Sequence, residues 1–151
     1  MPDPLFDSRT ARFDLPLLFA GQAQKENFVN EMAARVDTLL HLAIEGEQAA
    51  PPASPVDGQA WLVASGATGD WTGQTGKIAA RQAGNWLYAA PRDGMKLLNR
   101  ATGQEIRFSG GWKVAMRPAV PSTGAVVDSE ARSAISAILT ALTTAGIVPA
   151  S

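Results

Sequence analysis

The chain has 151 residues, 46% of them hydrophobic and 18% charged, with a formal net charge of −1 and one histidine. That length holds one compact domain with terminal elements, and near-neutrality with singly scattered Lys and Arg excludes the concentrated positive field of a nucleic-acid binder. The absence of cysteine excludes disulfide stapling and thiolate chemistry, and it leaves the redox compartment open.

Residues 1–48 read as an N-terminal arm and a helix. The opening, Met1-Pro2-Asp3-Pro4-Leu5-Phe6-Asp7, lacks the basic region and apolar run of a signal peptide, so none is expected. Pro2, Pro4 and Pro16 exclude a regular helix there, and Phe6, Phe13, Leu15, Leu17, Leu18 and Phe19 predict an extended arm that lays apolar side chains on a partner. From Gln22 to His41 the period changes. Val29, Met32, Ala33, Val36, Leu39 and Leu40 recur at three and four, which predicts an amphipathic helix, and His41-Leu42-Ala43-Ile44 suits a short strand beyond it. No stretch reaches the ~18 uninterrupted apolar residues of a membrane span, so no membrane insertion is expected.

Residues 49–58 form a proline-rich connector, which predicts an extended surface path. Residues 59–117 carry most of the chain's 14 glycines at short intervals. Strand-like runs at 60–64, 77–81, 86–90, 95–98, 105–108 and 112–116 alternate with glycine-bearing turns, the pattern of an antiparallel β meander or small barrel. Two turns echo each other: Gly84-Asn85-Trp86 and Gly110-Gly111-Trp112 each set a tryptophan after glycine.

Residues 118–151 are a linker and a closing helix. Ala131, Ile135, Ile138, Leu142 and Ala145 fall on one helical face, with Asp128 or Ser129 as the cap and Gly146 and Pro149 as the stop. An isolated helix of that length is marginal in water, so it must pack on its own core or on another subunit. The predicted class is therefore α+β, with terminal elements that serve oligomer or partner contacts: Leu17, Leu18 and Phe19 in the arm, and Ile135, Ile138, Leu142 and Ile147 at the end.

The search for catalytic groups is largely negative. One histidine among leucines reads as structural, a hydrolase triad has no nucleophile elbow, and zinc would depend on His41 and carboxylates alone. The glycine-rich stretch from 66 to 76 lacks the arrangement of a phosphate-binding loop. Asp57, Asp70, Asp93 and Glu105 could supply a carboxylate pair, but the first three sit beside glycine in turns, where aspartate bonds its own backbone. No enzyme activity, cofactor or metal is expected. The rings are a better lead. Trp61, Trp86 and Trp112 lie in strand-like runs and suit a core, whereas Trp71 sits in a loop, Gly69-Asp70-Trp71-Thr72-Gly73, and is the ring expected to be exposed. Trp71, with Tyr88 beside it in the β region, is the glycan-binding candidate.

The segment Leu15-Pro16-Leu17-Leu18-Phe19-Ala20-Gly21-Gln22-Ala23-Gln24-Lys25-Glu26, then Asn30-Glu31, resembles the opening of a domain of unknown function found in structural proteins of phages and gene transfer agents. The likeness continues through Ala50-Pro51-Pro52-Ala53-Ser54-Pro55, Gly58, Gly66-Ala67-Thr68-Gly69, Trp71, Gly76-Lys77-Ile78-Ala79, Trp86 and Pro91-Arg92-Asp93-Gly94, so it covers roughly residues 10–115. Position 95 departs, with Met95 where that family carries an aromatic. The closing helix is similar to the ends of phage head-fibre and spike proteins. The resemblance implies a structural protein made in the bacterial cytoplasm and assembled on a phage-like particle, as a head-spike base or small spike. Its implied partners are the capsid vertex and a spike fibre. Copies of the chain itself are also implied, as a trimer first and as a pentamer matched to a five-fold vertex second. Through the particle, the implied target is host capsular polysaccharide. A carbohydrate-binding module touching the glycan directly is the competing reading, and a small capsule-degrading hydrolase or lyase is a third.

Overall fold

The structure is a computed structural model and describes residues 25–119 and 128–149. It is an α+β fold of two helices and two four-stranded sheets. Helix α1 spans Lys25–Leu39, and an Arg35–Glu31 ion pair at 2.9 Å links successive turns on a half-buried side, where Arg35 also donates to Tyr88 O at 3.5 Å. The helix stops where His41 turns to φ 53, a left-handed conformation that breaks the ladder. His41 is exposed there, so it is neither helical nor a core residue.

The chain then threads both sheets. Strand β1 (Ala43–Ile44) joins one sheet and β2 (Glu47–Gln48) the other. The remaining strands are β3 (Ala60–Val63), β4 (Ile78–Gln82), β5 (Asn85–Ala89), β6 (Lys96–Asn99), β7 (Gln104–Phe108) and β8 (Trp112–Lys113). The sheet orders are β1-β6-β7-β8 and β2-β3-β4-β5. Each is thus a three-stranded antiparallel meander with a two-residue strand added parallel to its first member. This corrects the all-antiparallel and barrel-like expectation: the sheets are mixed, and neither closes. Strand β1 falls within the short strand expected at residues 41–44, whereas β2 carries no pattern of its own, because two residues cannot show a period.

The two meanders repeat one plan in detail. The Asp57 carboxylate accepts from Gly84 N at 3.1 Å, and the Asp93 carboxylate accepts from Gly110 N at 2.8 Å. Gly58 N donates to Arg81 O, and Gly94 N donates to Phe108 O. In each meander an Asp-Gly pair ahead of the first strand pins the turn between the second and third strands. That shared device explains the echo of the two tryptophan-bearing turns.

Alternation along the strands sets the layers. Ala60, Leu62, Ile78 and Ala80 point from one sheet toward Ile44, Leu97 and Ile106 of the other, and these buried side chains form the main core with Leu42 and Met95. Met95 is therefore a core residue at the position where an aromatic was expected. Trp112 ties the sheets together, its Nε1 donating to Gly76 O at 3.0 Å. The opposite face of the β3–β4–β5 meander carries Trp61, Val63, Ala79, Trp86 and Tyr88, covered by a 3-10 turn, Gly69–Trp71, that drops its indole onto them.

Candidate interaction surface

Helix α2, Ser129–Thr144, starts where the Asp128 side chain accepts from Ala131 N at 2.8 Å. It ends in a Schellman motif: Ile147 N returns to Leu142 O and Gly146 N to Thr143 O. Gly146, at φ +69, supplies the left-handed residue, and a side chain there would come within 3.2 Å of Gly103 O. The close approach is used, since Glu105 N donates to Gly146 O at 2.6 Å. Gln104, 2% exposed and the one buried polar residue in the described core, gives its Nε2 hydrogens to Ala115 O at 2.7 Å and Ile147 O at 3.2 Å. Arg117 adds a bond to Thr143 Oγ1 at 3.1 Å.

The C-terminal end of α2 is thus bolted to its own β module, with Leu139 and Val148 buried beneath it. The docked face is not the stripe that the sequence displays. Leu139 lies one position round from Ile138, and rotating the contact by that amount leaves Ile138 58% exposed, with Ile135 and Ile147 also exposed and Leu142 half-buried. Helix α1 behaves alike. Leu39 packs on the main core, while Phe28, Val29, Val36 and Leu40 remain open to solvent. Two helices therefore each use part of an apolar face at home and leave the rest uncovered. Single exposed apolar residues are ordinary, but aligned rows of them on helices mark contact surfaces. Leu17, Leu18 and Phe19 lie outside the described residues.

The aromatic expectation is corrected. Trp71 is fully buried, with its ring centroid 5.1 Å from that of Trp86 and 6.2 Å from that of Trp61, and it offers no face to a sugar. A loop position predicted exposure because the sequence does not show that the 3-10 turn folds back over the sheet. Tyr88 is half-buried on the same cluster, and its hydroxyl donates to Asp70 O at 2.6 Å. Burial, with a smaller contribution from the Asp70 carboxylate, raises its pKa above the usual phenol value. Arg81 covers the Trp86 ring at 5.1 Å.

The four carboxylates that could supply a catalytic pair are dispersed in role. Asp57 and Asp93 hold turns, the Asp70 main chain receives Tyr88, and Glu105 pairs with Lys96 at 2.8 Å. Among the described residues, no three His, Asp or Glu side chains gather as a metal site would require. Nor is any described helix long and apolar enough to cross a membrane.

Residues 29–113 match the family described as a protein of unknown function (DUF2793), and the chain belongs to that family. The match spans α1 to β8, so it takes in both meanders and stops short of α2. No curated protein matches the chain.

Proposed function

We propose that this protein is a structural component of a phage or gene transfer agent particle: the base of a head spike, or a small spike, that supports attachment to host capsular polysaccharide. The observation that carries the reading is the row Ile135 and Ile138 on α2, left exposed beside the docked Leu139. Water penalises such surface by about 25 cal/mol per Å², so a second subunit that covered it would be stabilised. Phe28, Val29, Val36 and Leu40 on α1 give the same argument a second surface. The resemblance of the ordered motifs to those of particle proteins supports this assembly as the setting, and the half-docked helices supply a physical motive for association. Copies of the chain associate through α2 as a trimer first, with a pentamer matched to a capsid vertex second, and the remaining faces meet the capsid or a fibre.

The native mass of the purified chain tests self-association. Ile138→Ser should shift an oligomer toward monomer and leave the melting temperature of the β module in place. A wild-type chain that stays monomeric at high concentration, and is also missing from labelled particles when they are imaged, sinks the reading.

A further inference from the structure

The outer face of the sheet β1-β6-β7-β8 is built unlike the rest of the surface. Strand pairing sets Lys96 opposite Arg107, and Arg107 opposite Lys113. All three point outward and are exposed, so one row of positive charge crosses three strands. Neighbouring strands lie about 4.8 Å apart, which spaces the outer two cations by about 10 Å. Like charges directly opposite one another destabilise a sheet. Lys96 is relieved by Glu105 at 2.8 Å, but Arg107 and Lys113 have no acidic partner among the described residues. The row thus works against the fold that carries it.

The row borders a groove of about 320 Å³ whose apolar wall is Val114, Ala115 and Ile147. A second groove, of about 430 Å³ and lined by exposed Leu98 and His41 and half-buried Ala43, continues on the far side of Lys96 and Glu105. The two share that ion pair as a common rim, so the face is a long trough with charges along it and apolar patches in it.

We infer that this trough binds an acidic polysaccharide, with Lys96, Arg107 and Lys113 taking successive carboxylates and Glu105 accepting from sugar hydroxyls. The cation spacing is comparable to the length of a pyranose ring. Shallow patches such as Leu98 and Val114 suit the C–H faces of sugars. Nucleic acid fits less well, because His41 supplies the one ring among the residues lining the trough, and no Trp, Tyr or Phe is there for successive bases to stack on. A folded protein partner would call for an aromatic anchor at the centre, and none is there. The inference deepens the attachment role proposed above by naming the ligand class and its site.

The test is calorimetric titration of the whole chain with an oligogalacturonate, against a neutral oligosaccharide of the same length, a polyglutamate peptide and a single-stranded oligonucleotide. The oligogalacturonate should bind best, and added salt should weaken it. Arg107→Gln and Lys113→Gln should each weaken binding by about threefold to fivefold, and the double variant by about tenfold or more. Neither change should lower the melting temperature, since each removes a repulsion. Should Arg107→Gln fail to fold, Lys113→Gln on the edge strand carries the comparison alone. Undiminished binding by the variants overturns the site, as does equal binding of the neutral sugar, the peptide or the oligonucleotide. A chain that self-associates yet ignores oligogalacturonate overturns this site and leaves the assembly reading standing, whereas a monomer that binds it and is missing from imaged particles does the reverse.

Discussion

Gln104 on β7 donates to the carbonyl of Ile147, just past the end of α2, at 3.2 Å, and the same amide nitrogen reaches Ala115 O at 2.7 Å. One buried side chain therefore holds the closing helix and the segment that follows β8. Gln104→Met keeps the shape and removes both donors, which leaves two carbonyls short of partners at a cost of about 1–3 kcal/mol. Gln104→Glu should do more harm, because a carboxylate would then face those two oxygens. The loss should appear as faster amide exchange through α2 and a lower urea midpoint, with the β3–β4–β5 meander last to open. Equal protection of α2 in wild type and Gln104→Met would show that Leu139 and Val148 hold the helix without it.

Trp71 gives a prediction of opposite sense to the one its loop position suggests. Removing an indole that is fully buried against Trp61 and Trp86 leaves a large cavity, so Trp71→Ala should destabilise the protein by about 3–5 kcal/mol. Near-ultraviolet circular dichroism should lose the signal of the coupled rings in the same variant. A Trp71→Ala protein that melts like wild type but releases glycan would restore the exposed-platform reading.

Asp57 and Asp93 occupy equivalent places in the two meanders, and each carboxylate accepts from a turn glycine. Both contacts are exposed, so Asp57→Ala and Asp93→Ala should each cost about 1 kcal/mol. The two sites have separate partners, and the double variant should therefore lose about the sum. Thermal melts of the single and double variants check it. A loss on one side alone would mean that the likeness of the two meanders is geometric and not energetic.

The same pair shows what the sequence could reveal. The helices, the five longer strands and the glycine turns are legible because periods of 3.6 and 2 and left-handed turn residues are local properties. The duplication was only half visible, as two tryptophan-bearing turns, since its other half is a hydrogen bond from Gly84 to Asp57, far away along the chain. The short strand at residues 41–44 is legible and holds β1, but its parallel pairing, like that of β2, depends on partners that the chain supplies later, and residues 47–48 carry no strand signal at all. On α2 the apolar stripe lies on a helical face, as its spacing predicts. Which edge of it docks depends on where β7 lies, so Leu139 went unnoticed beside Ile138. The cation row escaped for the same reason: Lys96, Arg107 and Lys113 are scattered in sequence and are aligned only by strand register.

Tyr88 makes the fold sensitive to alkali in a predictable direction. It is the single tyrosine of the chain, so phenolate absorbance reports on this site alone. Burial, and then the Asp70 carboxylate, raise its pKa above the ordinary phenol value of 10.0, and its hydroxyl hydrogen is committed to Asp70 O at 2.6 Å. An acid whose pKa is higher folded than unfolded binds its proton more tightly in the native state. Its contribution is therefore complete below pH 10.0, and it is lost as pH rises through the raised folded value. The titration should run alkaline of a free phenol, with the melting temperature falling over the same interval. Tyr88→Phe should remove that slope and cost about 0.5–1.5 kcal/mol near neutrality, where the bond to Asp70 O is intact in the wild type. An ordinary phenol titration in the folded protein would mean that the Asp70 contact opens freely. The loop carrying Trp71 would then be held by its indole alone.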